Sequence, residues 1–287
     1  MEIITDLKNS GLKFQANILD SLKKSSIVIR TSSAREMDFD LGDSKIGGMP
    51  HLPQDFEWPY YLEKPLTFIA QFNLSKLAAY DVEDKLPKEG FLFFFYEGSQ
   101  EVWGMDPMDR GGFMVYYYDV SEDSLMETFP PSGTTPLNPC SLSFRTEASY
   151  PLDENLLLLL DEDELEDFYQ LDVEKSELYE NIAEKHSPLC EEGVHRILGY
   201  PDLLLGEIFT ACQLASNGYF SEETDLPDEA YELLKSSDDW TLLFQMDSDD
   251  NCRAMWGDCG MIYFAIKHAD LKNKDFNNIW AVFQCVG

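Results

Sequence analysis

Two apolar stretches, each holding a single glutamine, constrain this chain more than any other feature. They are LTFIAQFN at 66–73 and TLLFQMD at 241–247. Their β-branched and aromatic content suits buried strands, and both are too short for anything larger. An amide inside an apolar strand is costly unless it finds hydrogen-bond partners, so each strand needs a particular neighbour. A glycine–proline loop precedes each one: IGGMPHLP at 46–53 and ILGYPDLL at 197–204. An aromatic strand follows each one, Phe91–Tyr96 in the first case and Met261–Ala265 in the second. Such loops and strands can match by accident, but the kept order points to an internal duplication. The expected halves are about residues 40–140 and 190–287, within a single domain over residues 1–287.

The remaining elements fit around this frame. Apolar residues between Leu7 and Leu22 recur at helical spacing, with Gly11 weakening the first turns. Ile27–Thr31 reads as a short strand, and Leu74–Tyr80 as one or two helical turns capped by Asn73. Phe113–Val120 is another strand, and four prolines between Thr128 and Cys140 predict an extended crossing between units. Leu142–Phe144 reads as a short strand. From Asp153 to Glu184 the chain carries 13 acids and one lysine, with Leu165, Phe168, Tyr179 and Ile182 at helical spacings. One or two helices are expected there, and Asp161–Glu164 place acids at a helix start, where the helix field favours them. A second acidic stretch, Glu222–Asp239, contains a helix at Glu229–Leu234. A turn of helix at His268–Asp270 and a strand at Ile279–Cys285 close the chain.

Charge excludes several functions. Acids outnumber Lys plus Arg by 54 to 21, a formal charge of −33 that repels nucleic acid and anionic membranes. A basic partner is the electrostatically favoured one; a well-solvated surface is the plainer cause. The hydrophobic share of 44% supports a real core. The six cysteines, at 140, 190, 212, 252, 259 and 285, form no CxxC pair, and a chain this rich in core residues needs no disulfide staples. The N-terminal stretch shows no basic leader with an apolar run, and no apolar run approaches the length of a membrane span. These features predict a reducing, cytoplasmic location, with the cysteines acting as small core residues.

Chemistry-bearing motifs are sparse. The sequence has no nucleophile elbow, HExxH, phosphate-binding loop or dinucleotide glycine pattern, so the reading leans away from an enzyme. Asp247, Asp249, Asp250 and Asp258 cluster near glycines but lack the spacing of a helix–loop–helix calcium site. Cys252 and Cys259, with His268 beyond, do not make a zinc set. No cofactor, no metal and no catalytic residue is therefore assigned. Four polar residues stand out as structural or ligand-site candidates: Gln71, His195, Gln245 and Asp258. Each glutamine either fixes the glycine–proline loop of its own half or lines a ligand groove. His195 has the same two readings. Asp258, in the turn WGDCG at 256–260, is expected to accept backbone N–H bonds there.

The ordered set of segments resembles the YwqG-like family, a bacterial domain of unknown function. The resemblance rests on IGGMPHLP at 46–53, FIAQFNLSKL at 68–77, LPKEGFLFFF at 86–95 and HRILGYPD at 195–202. It continues through LLFQMDSDD at 242–250, MWGDCGMIYFAI at 255–266 and LKNKDFNNIWAVFQC at 271–285. It implies an α+β or mainly β fold with related halves and no established activity or cofactor. Some relatives are thought to act as immunity proteins that neutralise bacterial toxins by binding them.

The resulting expectation is an α+β, β-rich fold of two related halves packed together, with peripheral acidic helices. The expected function is protein binding, with an immunity-type inhibitor of a basic toxin as its specific form and no nucleic-acid or membrane partner. The alternatives are a small-molecule or metal-binding module or enzyme centred on Gln71, His195, Gln245 and Asp258, and a DNA mimic built from the acidic helices.

Overall fold

The structure, a computed structural model, describes residues 2–187 and 193–286. Cys190 lies outside the described residues. Among these, one antiparallel sheet of ten strands organises the fold. Its central ribbon is the pair β1 (Lys24–Ser33) and β10 (Cys140–Ser149), in register from Lys24 opposite Ser149 to Ser33 opposite Cys140. Beyond β10 follow β2 (Lys45–Ile46), β6 (Thr67–Asn73), β7 (Phe91–Tyr96) and β8 (Phe113–Tyr118). Beyond β1 follow β11 (His195–Ile197), β12 (Trp240–Asp247), β13 (Met261–Lys267) and β14 (Trp280–Gln284). Two small pairs lie apart, β3 (His51–Pro53) with β9 (Leu125–Glu127), and β4 (Tyr60–Tyr61) with β5 (Lys64–Pro65).

The sheet curls until its ends nearly meet. Phe283 N–H on the edge strand β14 donates to Trp103 C=O at 3.0 Å, and Trp280 Nε1 donates to Gly104 C=O at 2.8 Å. The ring of Phe113, at the start of the opposite edge strand β8, lies 5.1 Å from that of Trp280. Approach this close is possible because residue 104 is glycine: its φ is +80°, and a Cβ there would sit 1.9 Å from Ala281 C=O. Inside the curl, Phe72 meets Phe244 at 5.1 Å, and Phe94 meets Phe264 at 5.2 Å. These rings come from β6, β7, β12 and β13, so one continuous core joins both ends of the sheet. Alternation puts the neighbouring side chains of the same strands on the outer face. There Phe68, Phe91, Phe93 and Phe95 are covered by Leu52, Leu66 and Leu125 with the partly buried Phe56 and Trp58.

Helices supply the rest. The stretch expected as one helix over residues 7–22 is two, α1 (Glu2–Asn9) and α2 (Lys13–Ser21), parted at Gly11. α3 (Leu74–Leu77) is a single turn capped by Asn73 Oδ1, as the sequence predicts. In the acidic stretch lie α4 (Glu162–Tyr169), capped by Asp161 at Glu164 N–H, and α5 (Val173–Lys185), capped by Asp172. Leu7, Leu12, Leu19, Phe168, Tyr179 and Ile182 give α1, α2, α4 and α5 a hydrophobic core of their own. Three more helices follow: α6 (Phe209–Ser216), α7 (Asp228–Leu234) and α8 (His268–Lys272). The coarse α+β reading thus stands. Two details differ from the sequence reading. The proline-bearing crossing enters a ten-residue strand, β10, in place of a three-residue one at Leu142–Phe144. α6 and the short strands β2, β3 and β11 formed no part of that reading. No helix among the described residues is long and apolar enough to cross a membrane.

Candidate functional site

Gln71 and Gln245 are both fully buried, and each ties down the glycine–proline loop beside it. Gln71 sits on β6 opposite Lys45 of β2. Its Oε1 accepts His51 N–H at 2.7 Å, and its Nε2 donates to Asp43 C=O at 2.6 Å. Gln245 sits on β12 opposite Arg196 of β11. Its Oε1 accepts Asp202 N–H at 3.0 Å, and its Nε2 donates to Val194 C=O at 3.2 Å and Asp202 Oδ2 at 2.8 Å. The loops also turn alike. Gly47 N–H donates to Ile69 C=O at 2.8 Å, and Leu198 N–H donates to Leu243 C=O at 3.3 Å. Ile69 and Leu243 are the residues at which the β6–β7 and β12–β13 registers shift. Gly48 and Gly199 follow with φ of +70° and +80°.

Each loop also holds a buried cation. Lys45 Nζ, fully buried, lies 2.6 Å from Glu36 Oε2 and donates to Met49 C=O at 3.0 Å. Arg196 Nε lies 2.7 Å from Asp202 Oδ2, although off the donor axis. Burial raises the Asp202 carboxyl above the ordinary value, and Arg196 and Gln245 oppose that rise.

His195 is fully buried and both ring nitrogens are engaged. Nδ1 accepts Asp247 N–H at 3.1 Å, so Nε2 carries the proton it shares with Asp249 Oδ2 at 2.9 Å. Asp249 also accepts the Thr31 hydroxyl and Asn251 N–H. Burial alone would raise the Asp249 carboxyl, but the hydrogen bonds from His195 and Thr31 dominate and hold it down at about 2. The ring therefore clips the 247–254 loop to β1 and β11, and it has no free nitrogen to offer a substrate.

Asp258 does not join this group. It is exposed in the 257–259 turn, and no hydrogen bond to its carboxylate is found among the described residues. Ser248 organises the turn instead: its Oγ donates to Gly260 C=O at 2.9 Å and accepts Trp256 N–H at 3.0 Å. His195 and Gln245 are neighbours, with Gln245 bonded to Val194 C=O, but β11, β1, β10 and β2 stand between β12 and β6, and Asp258 is exposed on a turn, so the four candidates form no common site. Cys252 is buried with its thiol donating to Asp249 C=O at 3.5 Å, while Cys259 is exposed, so the 252/259 pair does not converge on a ligand. Among the described residues no three His, Cys, Asp or Glu side chains are grouped to hold a metal ion.

The concave surfaces lie elsewhere. One cavity of about 660 Å³ opens between the Ser149 end of β10, α5 and the 196–203 loop, with Arg196 and Asp202 at its floor and Glu147, Glu154 and Glu180 around it. A second, of about 620 Å³, follows the seam where β14 meets residues 101–109. Its walls are the rings of Trp103, Phe220 and Phe283, with Met105 and Leu205 beside them. Its carboxylates are Glu101, Asp106, Asp109, Glu207 and Glu222. Nothing in the sequence marks this groove as a unit, because its parts come from separate segments at 101–109, 205–207, 220–222 and 283–284 that meet only when the sheet curls.

The curled antiparallel sheet with its two glutamine-clipped loops defines an α+β sheet protein whose buried polar groups hold loops in place. The description "Domain of unknown function (DUF1963)" matches residues 44–285. The chain belongs to this family, which is the YwqG-like family its segments resemble. Among curated proteins, none matches the chain.

Proposed function

We propose that this protein binds a basic protein partner, in the manner of an immunity-type inhibitor that neutralises a cationic toxin by covering it. One observation carries the reading: the acid excess lies on surfaces open to a partner. Glu162, Asp163, Glu166 and Asp167 of α4 and Glu174, Glu177 and Glu180 of α5 are exposed. So are Asp228, Glu229 and Glu232 of α7. A charge of −33 steers a cationic protein to such a surface and disfavours acidic ones. The engaged nitrogens of His195 and the loop-clipping role of the glutamines support binding over catalysis at those residues. Titration with the protein encoded beside this chain tests the reading. The expected result is a complex whose affinity drops about tenfold or more between roughly 50 and 300 mM salt. Absence of a complex, or one indifferent to salt, would sink it.

The same reading takes the halves on either side of the β1–β10 ribbon as copies of one ancestral unit, folded as a single domain. The like bonding of Gln71 and Gln245, and the like register shifts at Ile69 and Leu243, support a duplication. A reducing, cytoplasmic setting suits the neighbouring free thiols of Cys140 and Cys252.

A further inference from the structure

The seam groove has the volume of a small-molecule site, and its walls are mainly aromatic or apolar faces and carboxylates, with the Gln284 amide engaged by Leu204 N–H, Leu205 N–H and Gly206 C=O. Trp103 is 43% exposed and Phe220 is 40% exposed, so both leave ring surface open at the groove. The Trp103 ring lies 4.7 Å from that of the buried Phe283, tilted at 41° to it, so Trp103 rests on an aromatic neighbour. Trp103 is fixed from behind, because its C=O accepts Phe283 N–H in the seam.

The carboxylates divide into two groups. Asp109 accepts Gly104 N–H at 2.7 Å, Glu207 accepts Thr210 N–H at 2.8 Å at the start of α6, and Asp106 accepts Met108 N–H at 2.8 Å. These three shape the walls. Glu101 and Glu222 have no side-chain partner among the described residues, and both are exposed at the groove. Among the described residues no Lys, Arg or His lines it. The nearby Arg110 is turned away, with its guanidinium 5.1 Å over the Trp280 ring and its Nη2 donating to Ser216 C=O.

We propose that the groove is a binding site for a free organic cation, an ammonium carried on a flat or branched apolar body. The apolar body would lie against Trp103, Phe220 and Phe283, and the ammonium would meet Glu101 and Glu222. Aromatic faces attract a cation through their quadrupole, and two unpaired carboxylates supply the opposite charge. An anionic ligand would meet five carboxylates with no compensating cation, and a neutral one would leave the free carboxylates unused. This inference stands apart from the partner reading, since it concerns one cavity and not the exposed helix faces.

Isothermal titration of the full chain with phenethylammonium, 2-phenylethanol and 3-phenylpropionate tests it, with tryptophan fluorescence as a second readout. Phenethylammonium should bind with a Kd below about 1 mM, and the alcohol and the carboxylate should bind at least about tenfold more weakly. Trp103→Ala should weaken phenethylammonium binding about tenfold, and so should the double variant Glu101→Gln/Glu222→Gln, which alters only exposed groups and leaves the fold intact. Three results would overturn the proposal: no saturable binding of phenethylammonium or tetraethylammonium, equal binding of the alcohol, or unchanged affinity in the double variant. Binding of a lysine-rich peptide by the wild type, without binding of either free ammonium, would also overturn it and make the groove a contact for a basic protein.

Discussion

Replacing Gln71 and Gln245 by methionine, singly and together, tests whether these amides hold the loops. Methionine keeps the length and apolar bulk of the side chain and removes its hydrogen bonds. In Gln71→Met, His51 N–H and Asp43 C=O lose their partner in a buried setting. Each orphaned group costs about 1–3 kcal/mol, and the added apolar character returns part of that, leaving about 2–4 kcal/mol. Gln245→Met orphans Asp202 N–H and Val194 C=O and also strips a donor from the Asp202 carboxylate. That third bond involves a charge, so the cost rises to about 3–5 kcal/mol. Phe72 and Phe244 point into the core, so the adjacent glutamines point outward from opposite sides of the curl and share no partner. The double variant should therefore equal the sum of the singles within about 0.5 kcal/mol. Urea unfolding followed by circular dichroism and tryptophan fluorescence gives these values. A cost below about 1 kcal/mol for either variant, or a larger cost at Gln71 than at Gln245, would refute the reasoning.

Two further predictions concern the fold. Asp249 is held at about 2 against an ordinary value of 3.8, so the stability it contributes is complete above 3.8 and is lost as pH falls through 2. The shift corresponds to about 2 kcal/mol, and the difference between wild-type and Asp249→Asn stability should shrink by that amount on acidification from about pH 5 to pH 2. Gly104→Ala would place a Cβ 1.9 Å from Ala281 C=O and force the seam apart. It should cost about 3 kcal/mol, and hydrogen exchange at Phe283 N–H, bonded to Trp103 C=O, should accelerate before that of the β1–β10 ribbon.

The elements that pack on a single period were legible in the sequence. Phe91–Tyr96 and Met261–Lys267 carry apolar residues at almost every position, as strands covered on both faces must, and Thr67–Asn73 has an apolar centre broken only by Gln71. Gln71 and Gln245 were legible as residues in need of partners, and the loops they hold were the ones beside them. β10 was read too short because most of CSLSFRTEAS is polar and exposed or half-exposed, so its pairing with β1 owes more to backbone hydrogen bonds than to buried side chains. α6 was missed because FTACQLAS is buried on nearly all sides and shows no polar face to mark a helical period. Asp258 was misjudged because a neighbouring hydroxyl, Ser248, reaches the turn from the preceding strand end. The seam groove was invisible for a topological reason: Trp103, Phe220 and Phe283 become neighbours only after the sheet has curled.

The β1–β10 ribbon has a consequence for the helices that neither strand touches directly. Because Lys24 stands opposite Ser149, everything between them is a closed circuit that the chain enters and leaves at one point. The segments outside that circuit, α1 and α2 before it and α4 and α5 after it, start from adjacent doorways. Leu22 on one side and Tyr150 and Leu152 on the other already pack into the helical core. The four helices therefore meet from neighbouring strand ends, although α1 and α5 lie far apart in sequence, and the entropy of closing that long loop is absorbed once, by the ribbon. They form a cooperative unit that can loosen and reform while the sheet stays shut.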